Sequence, residues 1–507
     1  MRKYVYMLLA IAAMTFLMAG CSGHSESQQS GKPKKDITVR MMADPDFLDP
    51  HKATASLTFQ MMLNVFEGLV NPAPNGGIEP GVAKSYKMSE DGLTYTFKLR
   101  PGIKFHNGDP VTVQDVEYSF DRLTGKSTGQ PLSSSLAAII KSVTAPDDQT
   151  IVIKLKKPYS PFLTELTAVD AAILDKKNDA KQNTHPIGTG PFKFVEYKPE
   201  NKLVLEKFDD YWKKGVPYLN KVTFSYQPDD DAAFMSLKSG NLDLTSVPAH
   251  KVDEIKNAFN IIPQNSNAVF LMGFNNAKKP FNDVRVRQAI NDVVNKQDII
   301  DAAFSGHGSK LGSHMSPAMG KYFDKSTVGD YQPNVKKAKQ LLKAAGYSNG
   351  FSMTITVSSH SPVYSEAAQV IVEELKQIGI HAKINVIEWA KWLDDVYKQK
   401  DYEATIIDFT GKLSPFDTLS QYRSNDPENM MNFSDEKFDT LMSQILNESS
   451  EDKRVALYKQ AQEELSQQAP AVFICDYQTE WALNKQFTGF TKYPIYYLDL
   501  AHIKPAK

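Results

Sequence analysis

A cysteine near the N-terminus, Cys21, has the surroundings that most clearly indicate a chemical modification. Arg2 and Lys3 give the chain a positive start, and an apolar run over residues 5–19, broken by a single threonine, leads to Gly-Cys-Ser. These features are typical of a secretory signal peptide, and the run is shorter than the ~20 residues that cross a bilayer. The sequence LMAGC resembles a bacterial lipoprotein cleavage site. We therefore predict cleavage after residue 20 and a diacylglycerol on the Cys21 thiol, with an ordinary signal peptide as the alternative.

A second group with possible chemistry is the glycine-rich loop that carries His307 and His314. Two imidazoles on a flexible loop are able to chelate a divalent ion, and the neighbouring Met315 offers a soft ligand. No third ligand stands at a recognisable spacing, and the pattern is not a zinc signature. Because of this loop, capture of nickel or of a metal chelate remains an alternative function. We predict no resident metal or cofactor.

The motifs of common hydrolases are missing from the sequence. It contains neither Gly-x-Ser-x-Gly nor His-Glu-x-x-His, and the only cysteine beyond Cys21 is Cys475, in an apolar run typical of a buried strand. A Ser-His-Asp triad meets only in space, so a secreted hydrolase stays as a competing class. We predict that the protein is not an enzyme.

The composition describes an exported globular protein. The 507 residues, 41% of them hydrophobic, are enough for two or three domains with large cores. A net charge of −1 gives no indication of a nucleic-acid partner. Residues 21–36 are polar and rich in Ser, Gln and Lys, which predicts a flexible tether. No later segment is long enough to span a membrane, so we expect the folded part outside the cytoplasm, held by its N-terminus.

Beyond the tether, strand and helix patterns alternate. Periodicity and turn signals predict strands over 37–41, 93–99, 269–274, 382–387 and 404–409. Helical spacing, caps and terminal glycines predict helices over 58–70, 113–123, 283–303, 335–345 and 365–378. This alternation predicts an α/β architecture with largely parallel sheets.

Four stretches, in order, resemble the peptide/nickel (family 5) solute-binding proteins of bacterial ABC transporters. They are Leu48–His51 with Val65–Val70, then Ala83–Leu123, then Pro186–Tyr197 with Asp210–Trp212, and Pro280–Ile300. The resemblance extends from residue 37 to the C-terminus. It implies an α/β, two-lobed, periplasmic-binding-protein-like clamshell of type II, from the large group with an inserted extra subdomain. Lobe I is then residues 37–267 plus 483–507, with the inserted subdomain at about 62–185, and lobe II is residues 268–482.

The resemblance also points to a ligand site, with one clear departure from the pattern. Dipeptide- and oligopeptide-binding members pair the ligand α-amino group with the aspartate of a Gly-Trp-Thr-Gly-Asp-like stretch. The matching stretch here, DFTGK, brings Thr410 and Gly411 to the ligand, puts Lys412 in the aspartate's place and Asp408 where glycine is common. A desolvated ammonium there repels the ligand ammonium. Either Lys412 points into the cleft and pairs with a ligand carboxylate or phosphate, or Lys412 faces solvent and Asp408 takes the ammonium.

Other candidate ligand contacts come from neighbouring loops. Dipeptide-binding members clamp the ligand carboxylate with an arginine, but the corresponding loop here, residues 358–364, offers only His360 as a cation. Trp389 matches a family tryptophan that borders the ligand cavity, whereas Trp392, three residues later, is expected to pack in the core or on the surface. Asn275 follows a predicted strand and offers amide hydrogen bonds to a peptide, with a plain turn as the alternative.

Together these features imply the substrate-binding component of an ABC importer. It would capture a peptide or peptide-like solute between two lobes and deliver it to the permease subunits. The expected location is the extracytoplasmic face of the cell membrane, through the lipid anchor, with a monomeric chain and no nucleic acid bound. A peptide sensor without a transporter uses the same clamshell, and the length and charge of the ligand stay open.

Overall fold

The computed structural model describes residues 33–495 and 497–506, so the predicted signal peptide, Cys21 and the tether up to residue 32 lie outside the described residues. The strands are β1 (Asp36–Met41), β2 (Val70–Pro72), β3 (Ile78–Pro80), β4 (Ala83–Met88), β5 (Thr94–Leu99), β6 (Ile140–Asp147), β7 (Thr150–Leu155), β8 (Phe192–Lys198), β9 (Lys202–Lys207), β10 (Lys221–Tyr226), β11 (Leu244–Val247), β12 (Phe259–Asn265), β13 (Val269–Phe274), β14 (Gly308–Lys310), β15 (Phe351–Ser358), β16 (Ile380–Ile387), β17 (Ala404–Phe409), β18 (Ala471–Asn484), β19 (Phe487–Thr488) and β20 (Lys504–Pro505). The α-helices are α1 (Ser56–Met62), α2 (Val113–Thr124), α3 (Ser134–Ile139), α4 (Phe162–Glu165), α5 (Asp230–Lys238), α6 (Val284–Asn291), α7 (Lys296–Phe304), α8 (Val335–Ala344), α9 (Pro362–Lys376), α10 (Trp389–Trp392), α11 (Pro415–Ser420), α12 (Glu436–Asn447) and α13 (Glu451–Gln468). Among the described residues, no helix has the length and apolar character of a membrane span.

The long strand β18 joins the two halves of the largest sheet. This sheet runs β16-β15-β17-β13-β18-β11-β1-β10-β9-β8, and β12 and β14 also pair with β18. The N-terminal part of β18 pairs with β13 and β14, and its C-terminal part pairs with β11 and β12. The chain passes from β12 to β13 through only a few residues, so these two segments cross side by side.

The prediction of largely parallel sheets is wrong. Parallel pairs occur on both sides of the sheet, between β1 and β10 and between β15 and both β16 and β17. Around β18, however, the four neighbouring strands β11, β12, β13 and β14 are all antiparallel to it, and the β8–β9 and β9–β10 pairs are antiparallel too. Hairpins and crossing strands need no helical crossover, whereas each parallel pair does. The sheet is therefore mixed.

Three large apolar cores and one smaller cluster, around α5, lie within the described residues. One lies in the β13–β18 region and packs α6, α7 and α9 against the sheet. A second combines residues from both ends of the chain, including β1, β10 and residues 498–503. The third fills the space between the four-stranded sheet β4-β5-β7-β6 and α2. Cys475 is fully buried on β18, as its apolar surroundings predict.

Several predicted elements are confirmed, and two are too long. Helix α2 starts after Thr112, whose hydroxyl accepts from the Asp115 backbone in a capping box. The predicted helix over 283–303 is two helices, because Asn295 caps a second start by accepting from Gln297. The helix predicted over 58–70 ends at Met62.

In the irregular segment after α1, the Glu67 side chain is buried. Its buried carboxylate accepts hydrogen bonds from the Tyr211 hydroxyl (2.9 Å), the Trp212 indole (2.9 Å) and the Thr189 hydroxyl (3.2 Å). Burial raises the pKa of the Glu67 carboxyl. Three sequence segments far apart in the chain thus meet at one carboxylate, and their residues serve as a scaffold.

Gly188 in the same cluster gives a direct test of this packing. A Cβ at Gly188 would lie 2.1 Å from the backbone oxygen of Val65, which cannot move aside as a flexible side chain can. We expect Gly188→Ala to lower the free energy of unfolding by about 3 kcal/mol. Gly329→Ala is the matched control, because nothing lies within 4 Å of the added Cβ there. Equal thermal unfolding midpoints for the two variants would contradict this packing.

Candidate ligand-binding site

A cavity of about 330 Å³ opens where β17 ends. Its lining comes from the end of β17 and the loop that follows it, from α10 and the turn after it, and from α11. The lining residues are Asn267, Val269, His314, Trp389, Trp392, Leu393, Tyr397, Ile407, Asp408, Phe409, Thr410, Gly411, Lys412, Thr418, Gln421 and Glu428. The structure therefore brings Trp389 together with the whole Asp408–Lys412 stretch that the sequence singles out.

A second cavity, of about 210 Å³, shares Gly411 and Lys412 with the first. One further wall is formed by Phe59 of α1 and the following Leu63, and another by residues 164, 165 and 167–169, at the end of α4 and just beyond it. The remaining lining residues are Leu413, Ser414, Asp417 and Ile495. The loop after β17 thus lies between these distant parts of the chain and α10–α11. The two cavities share this loop as a common wall, and we call them together the cleft.

Asp408 is held in the cleft by two tyrosines. The Tyr364 hydroxyl, on α9, donates to Asp408 Oδ1, and the Tyr477 hydroxyl, on β18, donates to Oδ2 at 2.9 Å. Burial and the adjacent Asp408 carboxylate raise the pKa of both tyrosines, so both hydroxyls keep their protons and remain donors. Each oxygen of a carboxylate has a further lone pair. Asp408 is therefore a fixed carboxylate that is able to accept hydrogen bonds from a ligand.

Lys412 lies at the rim of the cleft with a carboxylate partner. Its Nζ is 3.4 Å from Glu428 Oε2, and its side chain is 45% exposed. The backbone of the loop is fixed from behind, because Asn267 Nδ2 donates to the Lys412 carbonyl at 3.0 Å. At Gly411 a Cβ would lie 1.9 Å from the Asn267 carbonyl oxygen, so only glycine allows this approach. Thr410 is exposed on the same wall.

His360 and the two tryptophans form an aromatic stack at the mouth of the cleft. The His360 and Trp389 rings lie 5.3 Å apart, and the Trp389 and Trp392 rings stack at 5.2 Å. Trp389 is 37% exposed, whereas Trp392 is buried and donates from Nε1 to the Thr405 hydroxyl at 2.9 Å. Trp392 thus packs in the core, as the spacing predicts, and also contributes to the cavity wall.

Asn275 is not part of either cavity. It is buried after β13, where its Nδ2 donates to the carbonyls of Lys400 (2.8 Å) and Tyr402 (3.1 Å) and its Oδ1 accepts from Asn432 (3.0 Å). Both ends of its amide group are therefore hydrogen-bonded within the protein, where they hold the chain near β17. The alternative of a structural turn residue fits this position, and we do not retain Asn275 as a ligand contact.

The two loop histidines have separate partners. His307 is half exposed and pairs through Nδ1 with the buried Glu480 at 3.0 Å. His314 is buried, and its Nδ1 lies 2.7 Å from the Tyr422 hydroxyl. Burial lowers the pKa of His314 to about 3. Across the described residues no group of three or more His, Cys, Asp or Glu side chains is placed to hold a metal ion.

Two carboxyls that the sequence does not single out lie next to each other in the wall of the second cavity. Glu165 ends α4 and Asp417 lies in the first turn of α11, and both line the cavity. Burial and the nearby Asp417 carboxyl raise the pKa of Glu165, and burial also raises the pKa of Asp417. The two residues are far apart in sequence and carry no motif, so only the fold reveals the pair.

Comparison with known proteins agrees with this architecture. Residues 77–430 match the family described as bacterial extracellular solute-binding proteins, family 5. The dipeptide-binding protein DppE of Bacillus subtilis (strain 168) is 27% identical to this chain, over 96% of each protein.

Two solved structures resemble most of this chain in fold. The unliganded open form of the periplasmic murein tripeptide-binding protein MppA superimposes with a TM-score of 0.84, at 25% identity and over 94% of this chain and 98% of that one. The ABC transporter-associated periplasmic binding protein DppA from Helicobacter pylori, in complex with the peptide STSA, gives a TM-score of 0.72 at 28% identity, over 93% of this chain and 98% of that one. By its sequence and its two-lobed α/β clamshell fold, the chain belongs to the family 5 bacterial extracellular solute-binding proteins.

Proposed function

We propose that this protein is the substrate-binding component of an ABC importer and that it captures peptides with a free α-amino group. The observation that carries the ligand assignment is Asp408, a carboxylate fixed by Tyr364 and Tyr477 at the wall of the cleft. A ligand ammonium placed there gains charge-assisted hydrogen bonds. The protein itself supplies no chemistry, so the ligand leaves unchanged.

The charges that line the cleft favour a ligand ammonium over a ligand carboxylate. Asp408 and Glu428 line the first cavity against one lysine, Lys412. The neighbouring Glu165 and Asp417 in the second cavity have raised pKa values and therefore add less negative charge. His314 is neutral, because burial lowers its pKa to about 3. Lys412 already has Glu428 as a partner. Of the two interpretations of the departure from the family pattern, we therefore adopt the one in which Asp408 takes the ammonium and Lys412 stays at the rim.

Capture involves closure of the cleft around the ligand. We assign the lobes as the sequence predicts, with lobe I at residues 37–267 and 483–507 and lobe II at 268–482. β18 and the segment between β12 and β13 then serve as the two crossing segments of a hinge. Closure removes the ligand from water, which strengthens its ion pair with Asp408.

The same proposal includes attachment to the membrane through Cys21. The N-terminal sequence supports a lipid anchor, and about 15 polar residues span roughly 20 Å as a flexible coil. A monomeric receptor held in this way stays close to its permease.

Native mass spectrometry of the protein purified from its own host tests the ligand class. We expect the mass of a peptide on the folded protein, released unchanged on denaturation. A small metal complex in its place would favour the metal-chelate alternative, and steady conversion of added peptide by pure protein would favour a hydrolase.

A substitution at Lys412 separates the two interpretations of the site. Because Lys412 is a rim cation paired with Glu428, we expect Lys412→Ala to change the affinity for free-amino peptides by less than about fivefold, toward tighter binding. Isothermal titration calorimetry measures the effect, and Lys391→Ala, which removes another exposed lysine paired with a carboxylate, is the control. A loss of more than tenfold would instead place a ligand carboxylate on Lys412.

A further inference from the structure

The inner end of the cavity at β17 is a polar floor made by His314 and Gln421. Both side chains line the cavity and are more than nine-tenths buried. Gln421 Nε2 donates to the Thr418 carbonyl at 2.9 Å and lies 3.2 Å from His314 Nε2. A carbonyl oxygen only accepts, so the Gln421 amide nitrogen is fixed in this orientation.

The hydrogen bonds of the floor also fix the proton on His314. Because Gln421 Nε2 is a donor, His314 Nε2 must accept, and the imidazole proton is on Nδ1. Nδ1 then donates to the Tyr422 hydroxyl at 2.7 Å. Protonation of Nε2 would break the contact with Gln421. The floor is thus uncharged, and the N–H groups of His314 and Gln421 already donate to partners within the protein.

One acceptor on this floor has no partner. Within the described chain, Gln421 Oε1 accepts no hydrogen bond, although the side chain is only 8% exposed. This oxygen is not one of the fully enclosed side-chain atoms that lack a partner, so it is open to the cavity. The cavity therefore presents an acceptor that a ligand donor would satisfy.

The walls above this acceptor are aromatic and apolar. Trp389, Trp392, Tyr397 and Phe409 line the cavity, and the two indoles stack in parallel. A volume of about 330 Å³ exceeds the needs of a small hydroxylated side chain and falls within the lower range of ligand pockets. Flat aromatic walls favour an aromatic group through offset or edge-to-face packing.

We infer that this cavity is a specificity pocket for an aromatic ligand side chain that carries a hydrogen-bond donor at its far end, a tyrosine or a tryptophan, with Gln421 Oε1 as the acceptor. The inference rests on the proposed capture of peptides. It adds that the aromatic ring enters between the tryptophans and Phe409, and that its O–H or N–H group reaches Gln421. A phenylalanine enters the same space but leaves the acceptor unpaired.

Calorimetry with matched peptides tests this pocket. Tetrapeptides that are otherwise alanine would carry tyrosine or phenylalanine at the first, second or third position, and a second pair would carry tryptophan or its benzothienyl analogue, which lacks the N–H. At one position we expect the wild-type protein to bind the member with the donor about tenfold more tightly. Gln421→Leu removes the acceptor and should abolish this preference, whereas Gln444→Leu, an exposed glutamine on α12, should keep it.

The comparison between ligands uses the wild-type protein and does not depend on whether the Gln421 variant folds. Equal affinities for both members of each pair at every position would overturn the inference, and so would a preference that survives in a folded Gln421→Leu protein. Failure of every peptide to bind would instead refute peptide capture itself, a result distinct from binding without discrimination.

Discussion

Replacing Asp408 by asparagine is expected to lower the affinity for free-amino peptides about a hundredfold or more. The change removes the negative charge that faces the ligand ammonium inside a closing cleft, where truncation of one partner of a buried ion pair costs about 2–5 kcal/mol. One amide oxygen remains to accept a tyrosine hydroxyl, so most of the local packing is preserved. Isothermal titration calorimetry measures the affinity of each protein for the same peptide before and after N-acetylation, which removes the ligand ammonium.

A ligand-side control isolates the ammonium contact. N-acetylated peptide should bind the wild-type protein weakly, and Asp408→Asn should change that weak affinity little, because the cation is already gone. Asp148→Asn, an exposed aspartate in the turn between β6 and β7, should match the wild type in both titrations. An Asp408→Asn protein with undiminished affinity for free-amino peptides would remove Asp408 from the site.

The second large expected effect is a rise in peptide affinity with pH, from about pH 5 to about pH 7.5. In the unliganded protein, burial and Asp417 raise the pKa of Glu165, so this carboxyl holds a proton above its ordinary range. A ligand cation in the cleft favours the ionised form and lowers that pKa on binding. Binding then releases a proton, so the affinity increases with pH up to the pKa of about 8 that Glu165 has in the unliganded protein and levels off only above it.

The slope of this dependence is at most about tenfold per pH unit for each proton released. The α-amino group of a peptide, with a pKa near 7.7–8.0, stays mostly protonated across the window and does not confuse the result. Glu165→Gln should flatten the profile, and calorimetry in buffers of different ionisation enthalpy should show the lost proton release. Glu90→Gln, at an exposed glutamate, is the control. A profile that stays steep in Glu165→Gln would assign the proton to another group.

The sequence predicts the parts of this molecule that depend on local signals. Thr112 caps α2 and β17 spans the predicted residues because capping and strand periodicity act over a few neighbouring residues. Trp392 packs inward, as its position three residues after Trp389 indicates. The stretch from Asp408 to Lys412 lines the cavity. A family resemblance predicts this position, whereas periodicity alone does not.

The remaining features depend on contacts between distant residues. Asn275 resembles a ligand contact in sequence, yet its amide is used by Lys400 and Tyr402, more than a hundred positions away. Glu165 and Asp417 meet only after two segments fold against each other. The orientation of the Gln421 amide likewise depends on its contact with His314, 107 positions away. No spacing rule encodes such pairs, so their discovery requires the three-dimensional arrangement.

The position of β18 in both halves of the sheet has a consequence for how the protein is made. β1 pairs with β11, and β11 in turn pairs with β18. The core around β1 also contains residues from 498–503. During export the N-terminal segments emerge first, and they must wait for the last tenth of the chain before that core closes. Contacts between such distant residues fold slowly. A chain truncated before β18 should therefore expose strand edges and be degraded. Only a chain that is synthesised to its end is able to fold stably.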